Sequence, residues 1–183
     1  TRVYERALYW KKWGAHVEFI TNFPNKFMGK VHVGYSNSLY RVDYVEGIKV
    51  VRVKTYIARK QNILFRTLDQ VSYMVTSFIA GLFMNKPDII ISTTPQFFCG
   101  LSGLMLSTIK NVPFILEVAD IWTDSIKGTG AASGVIYKLL RAFECYVYRR
   151  SSAIIVLTNA FREEIVKRGV DDNKIFVVRN GIN

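Results

Sequence analysis

Residues 114–125 read FILEVADIWTDS. Phe114, Ile115 and Leu116 open the stretch as a buried strand opens, and then the pattern breaks: Glu117, Asp120, Trp122 and Asp124 follow within eight positions. Polar residues gathered where a hydrophobic strand runs out mark the carboxyl edge of a sheet. In open α/β sheets that edge is where ligands bind, because loops from successive strands converge there.

The same kind of run recurs on both sides. IIIS (89–92) and AIIVL (153–157) are near-continuous apolar segments of the kind found in parallel strands covered on both faces. Short β-branched runs alternate with amphipathic helical patterns, which predicts an α/β, Rossmann-like, doubly wound and mostly parallel sheet. Strands are expected at 16–21, 49–54, 88–93, 113–118, 153–157 and 174–178. Helices are expected at about 2–13, 62–85, 97–110, 133–151 and 159–168, with Gly14 and Gly169 as helix stops and Thr158 as an N-cap. LYRVDYVEGIKVVRVKT departs from this rhythm. Alternation on both sides of Glu46-Gly47 predicts a β-hairpin insertion whose second arm joins the main sheet.

With 183 residues, half of them hydrophobic, the chain can bury one substantial core. Its charged fraction of 21% and aromatic fraction of 14% argue against disorder. We expect a single domain over 1–183. The chain opens inside a helix that would normally follow an earlier strand, and it closes on a strand and a Gly turn. The expectation is therefore a trimmed N-terminal half that lacks its first strand and a second domain.

A net charge of +11 suits nucleic acid, anionic lipid or phosphorylated substrates alike. Cys99 and Cys145 are too few for a four-ligand zinc site and read as reduced core residues. No metal site is expected. The uncharged stretch between Asp69 and Lys86 spans 16 residues, too short to cross a bilayer. The 21 between Asp88 and Lys110 are divided by Pro95, Gly100 and Gly103. No transmembrane helix is expected. Neither G-x-G-x-x-G nor G-x-x-x-x-G-K-[ST] occurs, and two isolated histidines build no Ser-His-Asp or Cys-His arrangement.

Three loops supply the candidate ligand-facing residues: Glu117, Asp120 and Trp122 after one strand, Thr94 after another, and Asn22 in TNFPNKFMG after a third. Asp120 reads either as a carboxylate that takes a proton from a substrate hydroxyl or as a loop-bracing cap. Glu117, still inside its strand, leans to a structural hydrogen bond. Trp122 either stacks on a sugar or packs the loop. Thr94 either helps hold a phosphate at a helix start or caps that helix.

Six segments taken together, HVEFITNFPNKFMGKVHVGY, GIKVVRVKTYIARKQN, KPDIIISTTPQFFCGLSG, FILEVADIWTDS, FECYVYRRSSAIIVLTNAFREEIVKRGV and KIFVVRNGIN, resemble the amino-terminal half of a family 4 glycosyltransferase of the GT-B fold. The likeness is nearest to bacterial surface-polysaccharide enzymes similar to N-acetyl-fucosaminyl transferases. It covers essentially the whole chain in order. The resemblance implies two Rossmann-like domains, the first binding the acceptor and the second a nucleotide-sugar, expected to be UDP-linked. It also implies transfer with retention, without a metal or other cofactor, to a polyprenyl-diphosphate-linked glycan of capsule or O-antigen synthesis. The location implied is cytoplasmic, peripheral to the inner face of the cell membrane.

The family loop commonly reads E-V-R-D-L-W-P-E-S; here Ala119 replaces the arginine and Thr123 the proline, and Gln96 replaces a second proline after the Thr-Pro turn. Asp120 and Trp122 match and carry over, Asp120 as the catalytic candidate and Trp122 with Thr94, Asn22 and Glu117 as acceptor contacts. The fragment alone is expected not to catalyse transfer. A competing reading is a free-standing α/β binding or regulatory module whose basic surface faces nucleic acid. Against it, the basic residues of 49–66 border an apolar helix and no stacking platform is evident. A sugar-nucleotide epimerase would need the glycine fingerprint the chain lacks.

The run from Lys49 to Arg66 holds six basic residues and no acidic one. Arg59, Lys60 and Arg66, beside Ile63, Leu64, Phe65 and Leu68, form a candidate membrane contact, since apolar side chains enter the head-group boundary while cations meet anionic lipid. The alternative is a solvated charge run leading into a helix that packs on the sheet.

Overall fold

The computed structural model describes residues 2–26, 30–57, 63–94, 97–124 and 134–179, and it is α/β with parallel strands and intervening helices. The chain divides into two units, Thr1–Met84 and Asn85–Asn183.

In the first unit, α1 (Arg2–Lys12) ends at Gly14, whose φ of +91° an L side chain rarely adopts. It leads to β1 (Glu18–Asn22), a two-residue antiparallel pair β2 (Asn25–Lys26) and β3 (Lys30–Val31), the hairpin β4 (Tyr40–Val45) and β5 (Ile48–Val53), and α2 (Ile63–Phe83). The hairpin turns on Glu46 and Gly47, both at positive φ, so Val45 faces Ile48. Its second arm joins a parallel neighbour as expected: β5 lies between β4 and β1, pairing Glu18 with Lys49 and Asn22 with Val53. Central position explains its burial. Val51 and Val53 pack with Ala80 of α2, and Tyr73 ties that helix to β1 by donating its hydroxyl to the Ile20 carbonyl at 2.9 Å.

The second unit carries β6 (Ile90–Thr93), α3 (Phe97–Lys110), β7 (Phe114–Val118), α4 (Gly134–Arg150), β8 (Ala153–Val156), α5 (Asn159–Lys167) and β9 (Ile175–Val177). Its four strands are all parallel and lie in sequence order, with a helix in every crossover. Phe114, Leu116, Val118, Ile154 and Val156 form its core, which is why these strands read as unbroken apolar runs. Gly103 lets α3 press against the sheet: a Cβ there would strike Ser92 Oγ and come within 2.7 Å of the Phe114 ring. Thr158 caps α5, accepting from the Phe161 amide at 3.2 Å, and Gly169 follows it at φ +78°. Lys174 closes the far end of α4. Its ammonium donates to the carbonyls of Tyr148, Arg149 and Ser151 at 2.9, 2.7 and 3.1 Å, groups that no turn of helix follows to satisfy.

The sequence reading drew one mostly parallel sheet. Among the described residues the ladders run β1-β5-β4 in the first unit and β6-β7-β8-β9 in the second. Periodicity marks strands but does not name the neighbours they pair with.

Candidate functional site

The carboxyl ends of β6 and β7 are fastened to each other by two threonines. Thr93 and Glu117 face each other in the ladder, and the Thr93 hydroxyl donates to Glu117 Oε2 at 3.0 Å. Glu117 is fully buried. A carboxylate there needs such partners, since leaving a buried charge uncompensated costs several kcal/mol. Thr94 then leaves the strand: its amide donates to the Glu117 carbonyl at 2.9 Å, and its Oγ1 accepts from the amides of Ala119 at 2.9 Å and Asp120 at 3.4 Å. The same hydroxyl lies 3.3 Å from the Asp120 carbonyl, to which it donates. The backbone that carries Asp120 is therefore held from β6, and the Asp120 side chain stands half-buried at the rim.

Beyond it, residues 122–124 are helical. Trp122 sets its ring edge-on to Phe98 of α3, with centroids 6.3 Å apart, and lines a narrow pocket with Thr94, Gly100, Leu116, Glu144 and Tyr148. Thr123 is fully buried and donates to Glu144 Oε2 at 2.5 Å. Asp124 meets Arg168 Nη2 at 2.5 Å.

Arg168 joins these parts. From the residue that ends α5, its guanidinium reaches Glu144 of α4 at 2.6 Å, the Thr123 hydroxyl at 2.9 Å, Asp124, and Glu164 at 3.1 Å. Burial opposes its charge, yet Glu144 and Asp124 outweigh that and hold its pKa above the ordinary value. Tyr148, buried against Glu144, has its hydroxyl pushed to a higher pKa chiefly by desolvation. The three carboxylates of residues 114–125 thus divide their work: Glu117 ties β7 to β6, Asp124 ties the loop to α5, and Asp120 lies between.

Sequence reasoning missed Arg168, Glu144 and the role of Thr123. A signal was present: Glu144 lies in FECYVY, on the helix side that also carries Val147 and Tyr148, and a carboxylate on a buried face implies a cation opposite.

Asn22 closes β1 in the first unit, where its carbonyl accepts from Arg52 Nη1 at 3.3 Å. Beside it Asp43 takes Arg41 Nε at 2.7 Å and Arg52 Nε at 2.6 Å, and both guanidinium groups lie over the Tyr35 ring. Burial raises the Asp43 carboxyl, but its bonds to Arg52 and Arg41 prevail and keep its pKa below the usual value. A pocket of about 210 Å³ in this unit, lined by Lys11, His16, Gly47 and Ile48, lies at the amino end of β1, the end away from Asn22. Arg66 and Leu68 are exposed on α2, whereas Arg59 and Lys60 lie outside the described residues. No described helix is long and apolar enough to cross a membrane. Among the described residues no group of three or more His, Cys, Asp or Glu side chains is placed to hold a metal ion.

In parallel α/β sheets as a class, ligands bind beyond the carboxyl ends of the strands, and that is the end of β6 and β7 where Thr94 and Asp120 stand here. Over residues 1–181 the chain matches the Glycosyl transferase 4-like domain family, and it belongs to that family. Its role is that of a glycosyltransferase. Among curated proteins no significantly similar relative was found.

Proposed function

We propose that this chain is the acceptor-binding half of a retaining glycosyltransferase that moves a sugar from a UDP-linked donor to a polyprenyl-diphosphate-linked glycan in capsule or O-antigen synthesis. The observation that carries the reading is the fastening of the Asp120 backbone by Thr94, with Trp122 braced beside it on Phe98. A carboxylate on a fixed loop is pre-positioned to accept the proton of an attacking hydroxyl, and fixed geometry lowers the entropy cost of the reactive arrangement. Trp122 stacks its indole on a sugar ring of the acceptor. Glu117 and Thr94 serve by holding that loop. The nucleotide-sugar is held by the second domain that the resemblance implies, the transferred sugar is of the hexosyl or N-acetylhexosaminyl type, and the likeness to N-acetyl-fucosaminyl transferases supports the latter. The enzyme works at the inner membrane surface, with Arg59, Lys60 and Arg66 meeting lipid.

The test is Asp120→Asn in the complete enzyme. The change keeps shape and removes basicity, so turnover is expected to fall by about 10²-fold or more, the usual scale of general-base catalysis, with an unchanged melting temperature. Normal turnover with wild-type stability rejects the catalytic role; a lowered melting temperature assigns Asp120 to loop bracing.

A further inference from the structure

α4 presents an apolar stripe to solvent. Val135, Ile136, Leu139, Phe143 and Tyr146 are 72, 62, 65, 39 and 51% exposed. Their i, i+1, i+4, i+8, i+11 spacing places them within about 100° of one another on one side of a helix of 3.6 residues per turn. The opposite side, with Glu144, Cys145, Val147 and Tyr148, is buried. Phe143 and Tyr146 stack on each other at 6.4 Å, which gives the stripe a broad aromatic end.

Charge distinguishes this face from the other exposed helix surface. In α4 the only acidic residue is Glu144, buried and spent on Arg168, while Lys138, Arg141, Arg149 and Arg150 are all exposed. α2 also exposes Leu68, Val75, Ile79 and Phe83, but its charged residues are only Arg66 and Asp69, near one end. An apolar stripe flanked by cations alone complements an interface that is apolar below and anionic above. That is the cross-section of a bilayer leaflet with acidic head groups.

We infer that α4 lies in the plane of an anionic membrane, with Val135, Leu139 and Phe143 entering the head-group boundary and Lys138 and Arg150, which border the stripe, meeting lipid phosphates. This extends the membrane reading above to a second element and is independent of the catalytic one.

Flotation of the purified protein with vesicles decides it. With phosphatidylglycerol-containing vesicles the protein floats, and it floats weakly with phosphatidylcholine alone or in high salt, where screening shortens the attraction. Val135→Gln/Leu139→Gln/Phe143→Gln lowers the bound fraction by about tenfold or more, since each side chain withdraws several methylene equivalents from the interface. Leu139→Glu, a single exposed change, gives a loss in the same direction with an unaltered melting temperature. Arg59→Gln/Lys60→Gln/Arg66→Gln in the same assay judges the earlier contact separately. The inference is overturned if the α4 variants float as well as the parent, or if the parent ignores acidic lipid. It is equally overturned if sedimentation shows a dimer that the α4 variants dissolve without any dependence on lipid, which would make a second copy the occupant.

Discussion

Arg52 and Arg168 each hold a carboxylate at 2.6 Å, in opposite surroundings. The Arg52 and Asp43 side chains are 12 and 15% exposed, and their third member, Arg41, is nearly half exposed. The Arg168 and Glu144 side chains are 1 and 4% exposed. Water can replace a lost partner in the first cluster, so the pairing there is a modest preference. In the second it cannot, and removing one partner strands a charge in the interior. The difference lies less in the strength of the bonds than in what is left when one is cut. It also assigns roles: the first cluster trims a hairpin, whereas the second holds α4, α5 and the loop of Asp120 in one arrangement.

If this contrast is right, Arg168→Met lowers stability by about 3–5 kcal/mol, the cost of leaving a buried carboxylate unpaired, measurable by urea unfolding. Arg168→Met combined with Glu144→Met recovers much of that loss, because both charges then leave the interior. A single-variant loss near zero would show that the cluster rehydrates as easily as the first one. Thr123→Val keeps the Arg168–Glu144 pair and removes only the hydroxyl between them. Its expected cost is about 1–2 kcal/mol, the scale of one buried hydrogen bond, again from urea curves.

The effect expected in the less buried cluster is smaller and depends on pH. Asp43 titrates below its ordinary value in the folded protein, so its stabilisation is complete above the unfolded-state pKa, about 3.9, and is lost as pH falls through the lower folded value. Asp43→Asn should therefore cost about 1 kcal/mol or less at neutral pH, and its melting curve should converge with the parent's in acid. A gap that persists at low pH would mean that Asp43 acts through packing and not through charge.

Most elements were legible in the sequence because they obey a period. IIIS and AIIVL appear as β6 and β8 within a residue or two, Thr158 caps the helix it precedes, and Glu46-Gly47 turns the hairpin. The β2–β3 pair escaped notice because two residues per strand are too few to show alternation. The order in which the strands pair was not legible, because pairing is a long-range property.

The site was legible by position and not by contact. The strand-end rule placed Glu117, Asp120, Trp122 and Thr94 on neighbouring loops, but nothing local indicates that the Thr94 hydroxyl turns to the 119–120 backbone. Nor does anything local join Arg168 to Glu144, 24 residues earlier. Such contacts are written by the packing of helices, after the period has done its part.

Lys174 gives the second unit a sense of time. The carbonyls at the end of α4 receive their donor from a residue that the ribosome adds 23 to 26 positions later. Until then the last turn of α4 must bond to water and fray, so during synthesis the helix is finished only when the segment leading into β9 emerges and docks. A chain stalled before that point would carry β8 and α5 but a loosened α4. The end of this helix is thus completed by a donor from the segment that leads into β9.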